Sequence, residues 1–238
     1  DVLADDITTS NNNITISGGI VTALGGDDAA GIGGGRNSPG GTINILGGTV
    51  SAQGGKGAAG IGGGFGGSGS EITLSGGIIY ASGGSDAYDI GAGWNGVGGT
   101  TNISDTAVVF LRNDSITNVQ TQTHTHYEVS EIEDGKVWGI TVPEVWTEAF
   151  GLYIPNDSLF TLTYESNNGA NEEESTTQLF GTKTIITDAT LFERSFYDFA
   201  GWFSESDGSG DEYVPGDSYT FENHLTLYAT WTALPEFV

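Results

Sequence analysis

The sequence predicts an all-β protein: a parallel β-helix of 29-residue coils, with a second, smaller β domain behind it. Three observations carry that prediction. One short apolar phrase recurs at a fixed spacing. It appears as Ile14-Thr15-Ile16-Ser17-Gly18-Gly19, as Ile43-Asn44-Ile45-Leu46-Gly47-Gly48 and as Ile72-Thr73-Leu74-Ser75-Gly76-Gly77, each copy 29 residues after the one before. A fixed period without insertions marks one supersecondary unit stacked on itself. Within each copy the apolar residues alternate over three to five positions, and no window of helical length carries a 3.6-residue stripe. Glycine, 40 of 238 residues, separates the apolar segments without the every-third spacing of a collagen.

Each coil offers three strands. The first is Ile14/Ile16, Ile43/Ile45 and Ile72/Leu74. The second is Val21/Ala23, Val50/Ala52 and Ile79/Ala81. The third centres on Ile32, Ile61 and Ile90, each flanked by glycine or a small residue. Strands that meet their own counterparts one coil on pair in parallel, and each coil then climbs about 4.8 Å. The alanine column and the Gly-Ile-Gly segments imply a narrow interior. Upstream, Leu3 falls one period before Ile32, so residues 1–13 are expected to be the tail of an earlier coil, with Asn11-Asn12-Asn13 as a turn. The chain has no methionine, even at position 1, which suggests a processed or excised piece.

A fading fourth copy starts at Thr101-Asn102-Ile103-Ser104. On the 29-residue count Val108 follows Ile79 and Phe110 follows Ala81, so Phe110 is expected to close the interior like a plug, with Arg112 beyond it. Residues 1–112 are therefore assigned to the β-helix. Residues 113–158 are assigned to a polar loop (113–126) and to capping strands around Tyr127/Val129, Val137 to Val142 and Phe150 to Ile154. An end cap is expected because a final coil exposes strand edges.

From residue 159 to residue 238 the style changes. Glycine thins and aromatics rise, beginning with the alternating strand Phe160-Thr161-Leu162-Thr163-Tyr164. Further on stand Tyr197, Phe199-Ala200-Gly201-Trp202, the turn Asp207-Gly208-Ser209-Gly210, Tyr213-Val214-Pro215-Gly216-Asp217, and Leu225-Thr226-Leu227-Tyr228-Ala229-Thr230-Trp231. In that order these motifs resemble the internalin B-repeat, or Listeria–Bacteroides repeat, family over about residues 159–232. Phe196 stands where that pattern has a glycine. The resemblance implies a small β-grasp-like module of bacterial surface proteins, acting as a stalk or interaction domain and carrying no catalytic residues. The glycine-rich repeats of 1–110 also resemble β-helix repeats of bacterial surface proteins. Trp202, Tyr228 and Trp231 are expected in the core of so small a domain.

The charge narrows the partners. With 31 acids against six Lys and Arg, the chain carries −25 at neutral pH, and nucleic acid is excluded as an expected partner. There is no apolar run long enough to span a bilayer, so membrane insertion by such a segment is not expected.

Three groups of residues are candidate sites. Arg36, Phe65 and Trp94 are one coil apart at a corner after the Gly-Gly-Gly segments; stacked, they form a platform on which sugar rings lie. The competing reading is that the two aromatics merely cover a glycine-rich corner. Asp27, Asp28, Asp86 and Asp89 occupy equivalent loops two coils apart and supply the oxygen chemistry calcium needs, although Lys56-Gly57 interrupts the intervening coil. His124, His126 and Glu128 share one face if they lie on a strand, a zinc-like set lacking a fourth ligand. The alternative is a polar exposed strand.

No Ser-His-Asp order and no pair of carboxylates across a groove is legible. The expected role is non-catalytic: a bacterial cell-surface, extracellular adhesin or scaffold that recognises a polysaccharide or a host or bacterial surface protein through its solenoid. The alternatives are a calcium-assisted carbohydrate-binding module of a larger enzyme and, further off, a β-helix polysaccharide lyase or hydrolase.

Overall fold

The computed structural model describes residues 7–10, 13–130, 132, 134–188 and 191–235. It divides into two compact units, Asp1–Ile132 with Pro143–Asn156, and Glu133–Val142 with Asp157–Val238. Leu3, Asn11 and Asn12 lie outside the described residues.

The first unit is a β-solenoid of about three regular turns. Its first sheet stacks Asn13–Ile16, Thr42–Ile45, Glu71–Leu74 and Thr100–Ile103 in parallel, with Ile14, Ile43, Ile72 and Thr101 in one row. The second stacks Ile20–Leu24, Thr49–Gln53, Ile78–Ser82 and Val108–Leu111. The third stacks Ile32–Gly33, Ile61–Gly62 and Ile90–Gly91. Alternation turns one residue in two inward, so Ile43, Ile45, Val50, Ile61, Ile72, Leu74, Ile79 and Ile90 lose all exposure to water. Full burial of a side chain of that size contributes about 1.5–3 kcal/mol. The third sheet explains why glycine recurs beside isoleucine. Gly33, Gly62 and Gly91 hold φ of 134–135°, and a Cβ on Gly33 or Gly62 would run into the carbonyl of the next coil.

Both ends depart from the expected pattern. Ile7–Ser10 does not continue a parallel coil: it doubles back antiparallel on Asn13–Ile16. At the other end the fourth coil slips by one residue. Ser104 to Ala107 is one residue longer than the equivalent Ser75 to Gly77, so Phe110 pairs with Tyr80, and Leu111 takes the place after Ala81. Phe110 is therefore no plug. It lies on the outer face of the second sheet, stacked on Tyr80 at 4.8 Å and beside Phe150 at 5.9 Å. Trp146 covers them, 6.1 Å from Tyr80 and 5.5 Å from Phe150. Leu111, Val109 and Tyr153 fill the interior instead. Residues 113–126 are not a plain loop either, since Ile116 bridges to Ile90 and Val119–Gln120 adds a strand to the first sheet. Phe150–Pro155 and then His124–Val129 extend the second sheet antiparallel.

The second unit has a five-stranded sheet in the order Glu173–Leu179, Leu159–Glu165, Leu225–Ala233, Tyr197–Phe203, Glu212–Tyr213. Leu159–Glu165 and Leu225–Ala233 are parallel and the other neighbours antiparallel. Lys136–Val137 and Ile140–Thr141 form a hairpin of this unit rather than part of the solenoid cap. Leu162, Tyr164, Trp202, Phe221, Leu227 and Ala229 form the core, and Trp231 packs against it half-buried. Tyr228 points the other way, because it alternates with Leu227 and Ala229 along one strand. The indole N–H of Trp202 donates to the Thr187 carbonyl at 3.0 Å, and that of Trp231 to the Ser166 carbonyl at 2.8 Å.

Candidate functional site

The corner after the third sheet brings Arg36, Phe65 and Trp94 into one ladder. Backbone pairing puts them there: Asn37 N–H donates to the Phe65 carbonyl at 2.7 Å, and Gly66 N–H to the Trp94 carbonyl at 2.8 Å. The Phe65 and Trp94 rings are 5.0 Å apart between centroids and inclined by 50°. The Arg36 guanidinium sits 5.5 Å from the Phe65 centroid. Asp28 steadies it from the side, Oδ2 to Nη1 at 3.6 Å. An exposed pair of this kind adds at most about 1 kcal/mol, so its effect is on orientation more than stability. A ring pair contributes about 0.5–1.5 kcal/mol beyond burial and an exposed cation–π contact about 0.5–1 kcal/mol.

The two readings of this corner divide between the rings. Phe65 is half-buried over Gly57, where an added Cβ would lie 2.7 Å from its Cδ2. It shields backbone. Trp94 is 41% exposed and forms the open top of the ladder.

The four aspartates are not brought together. Asp28 and Asp86 hold φ of 63° and 62° and share a column of left-handed corners with Gly57 at 69°. Asp and Asn tolerate that conformation because their short side chains bond locally, so backbone geometry accounts for them. Two coils separate them, about 9–10 Å. Asp27 is exposed beside Asp28. Asp89 turns inward and is fully buried. Its carboxylate accepts from Gly83 N–H at 2.7 Å, Asn113 N–H at 2.7 Å, Asn113 Nδ2 at 2.8 Å and Ser115 N–H at 3.2 Å. Burial pushes its carboxyl up from the ordinary range, while those hydrogen bonds pull it down. Among the described residues no group of three or more His, Asp or Glu side chains is placed to hold a metal ion.

His124 and His126 do lie on one strand, Glu128 with them, but the imidazoles have separate partners. His124 is buried, with Nε2 2.8 Å from the Ala107 carbonyl. Burial lowers its pKa, and the Ala107 carbonyl and Asp105 oppose that. His126 Nε2 is 2.7 Å from Asp114 Oδ1. Glu128 is exposed.

A polar cleft of about 510 Å³ escaped the sequence reading. Gln53, Ser82, Asp86, Arg112, Asn113 and Ser115 line it. A smaller hollow of about 160 Å³ adjoins it through Arg112 and Asn113, reaching Trp146 and Glu148. The only hint in the sequence is that coil four has few residues between Leu111 and Ile116 where earlier coils have a longer loop.

The model of the Listeria–Bacteroides repeat domain matches residues 160–230. The beta helix repeat model matches residues 14–36 and 43–65. Two proteins of Evansella cellulosilytica are similar over short stretches. One, provisionally named a membrane protein, is 36% identical over 77 residues, 31% of this chain and 12% of that protein. The other, provisionally named a Gly-rich membrane protein, is 39% identical over 56 residues, 23% of this chain and 6% of that protein. The aligned stretches thus span only a small part of both relatives. No solved structure gives a significant match. Among the described residues no helix is long and apolar enough to cross a membrane. Residues 160–230 thus match a Listeria–Bacteroides repeat, and two stretches of the solenoid, 14–36 and 43–65, match beta helix repeats.

Proposed function

We propose that this chain is part of a bacterial surface protein whose solenoid presents a non-catalytic glycan-binding face, with the C-terminal module as a β-grasp-like spacer. The observation that carries the reading is the Arg36–Phe65–Trp94 ladder: ring contact at 5.0 Å, a guanidinium held over the lower ring, and an indole 41% exposed at its top. A rigid coil-to-coil backbone preorganises these groups, which reduces the ordering cost of binding. Aromatic faces accept the CH surfaces of sugars, and tryptophan and arginine are enriched among the residues that dominate binding energy at interfaces. The surface location draws support from the repeat family and from the membrane-protein names of the relatives. The β-grasp reading draws support from first and last strands lying side by side in parallel.

The test is binding to a panel of plant and host polysaccharides, with calcium and with chelator. Binding is expected to survive chelation, because the aspartates are dispersed. Trp94→Ala is expected to leave the circular-dichroism spectrum unchanged and to weaken binding by about tenfold, roughly 1.4 kcal/mol. Unchanged binding in that variant would remove the ladder from the account.

A further inference from the structure

The fourth coil is shorter than the three before it, and this opens a ledge. In the third coil eight residues lie between Ala81 and Ile90, including the 83–87 loop; in the fourth, four residues lie between Leu111 and Ile116. In the 83–87 loop Ser85 and Asp86 are exposed, and Trp94 is 41% exposed. The exposed loop becomes the floor of the 510 Å³ cleft, and Arg112 to Ser115 become its wall. Floor and wall are tied from beneath, since the buried Asp89 carboxylate accepts from Gly83 on one side and from Asn113 and Ser115 on the other. Trp94 does not line the cleft itself but lies near its rim: its backbone N–H donates to the Gly57 carbonyl, and Asp86 takes the position of Gly57 one coil higher, about 4.8 Å on.

The chemistry of the cleft selects a ligand class. Arg112 is exposed, and its guanidinium makes no ion pair among the described residues. It offers a planar fork of donors. Asp86, Ser82, Gln53 and Ser115 offer acceptors and hydroxyl or amide groups. A sugar hydroxyl both donates and accepts, so it can satisfy the carboxylate and the guanidinium together. An acidic sugar is disfavoured: Asp86 and Glu148 lie along the ledge, and the chain carries −25. A volume of 510 Å³ is within the usual range for small-ligand sites.

We propose that the ledge formed by Trp94, the 83–87 loop and Arg112–Ser115 is a subsite for an uncharged saccharide, with Arg112 donating to and Asp86 accepting from its hydroxyls. This rests on the glycan-binding reading above and names the ligand class. The test is amide and indole NMR of the full chain, titrated with neutral hexasaccharides of glucose, xylose and mannose and with a galacturonate hexamer. At least one neutral hexamer is expected to shift the Trp94 indole and the amides of 83–87 and 112–115 together, with the galacturonate at least tenfold weaker at low salt. Arg112→Gln and Asp86→Asn are each expected to weaken the neutral hexamer about tenfold, the worth of one hydrogen bond to a charged group. Asn suits the left-handed corner at position 86, so that fold is preserved. Shifts at Trp94 without the cleft, equal or tighter binding of galacturonate, or unchanged affinity in both variants overturns the ledge and leaves the ladder. Shifts in the cleft without Trp94 overturn the joint ledge and the ladder as its platform. No shift with any hexamer overturns both readings.

Discussion

Asp89 stands in the column of Gly31 and Gly60 and is the one member with a charge. A carboxylate in a row of glycines reads from sequence as a ligand, since nothing in the row explains it. Its reason lies 24 to 26 residues further on, in donors from Asn113 and Ser115 that only the truncated coil delivers. Asp89→Ala would strand these donors and that of Gly83. The expected loss is about 3–5 kcal/mol in urea unfolding, with Asp89→Asn in between. The ladder residues, by contrast, were legible, because a fixed period converts sequence spacing directly into stacking. His124 gives a pH dependence. Its folded-state pKa lies below the ordinary 6.5, so its contribution is present above that value and is lost as pH falls through the folded pKa. The wild type is expected to lose urea stability between pH 7.5 and pH 5.5 by more than His124→Gln does; equal losses would rule the residue out as the source.

At the level of the element, glycine decides which substitutions a coil tolerates. Gly62 combines a φ of 134° with a neighbouring carbonyl where a Cβ would go, whereas Gly26 has open space around it. Gly62→Ala is expected to cost on the order of 4 kcal/mol. Gly26→Ala is expected to stay within about 0.5 kcal/mol. A matched pair of melting curves checks both. The regular strands were legible because their inward residues repeat in kind and in spacing. The slip at Ser104 to Ala107 was not, because Val108, Val109, Phe110 and Leu111 are all apolar, so either register offers an apolar inner face. The observed one places Phe110 on the outer face, where it meets Tyr80 and Phe150, on both of which Trp146 packs. Trp146 and Phe150 come from more than thirty residues downstream, beyond the reach of a periodicity argument. The Lys136–Val137 and Ile140–Thr141 hairpin was hidden for a related reason: two-residue strands leave no alternation to count.

Over the whole molecule, stability of the solenoid is a sum of similar coils and their contacts with neighbours. Removing residues 43–71, one full repeat, would join Thr42 to Ile72 and leave every inward column intact. This shortened chain is expected to unfold cooperatively at a lower urea midpoint. Removing 43–70 instead would leave one extra residue at the junction, to be absorbed in a turn as at Ser104–Ala107, and is expected to lower the urea midpoint further than the full-repeat deletion; equal midpoints would contradict this. The ladder would lose Phe65 in the full-repeat deletion, so Trp94 would follow Arg36 directly and a glycan would meet one ring in place of two. The shared register also bears on descent. A segment that can be copied or dropped in frame without disturbing what flanks it is a unit on which unequal recombination can act freely, so the number of coils is a trait that a lineage can lengthen or shorten while the ledge at the irregular coil is inherited unchanged.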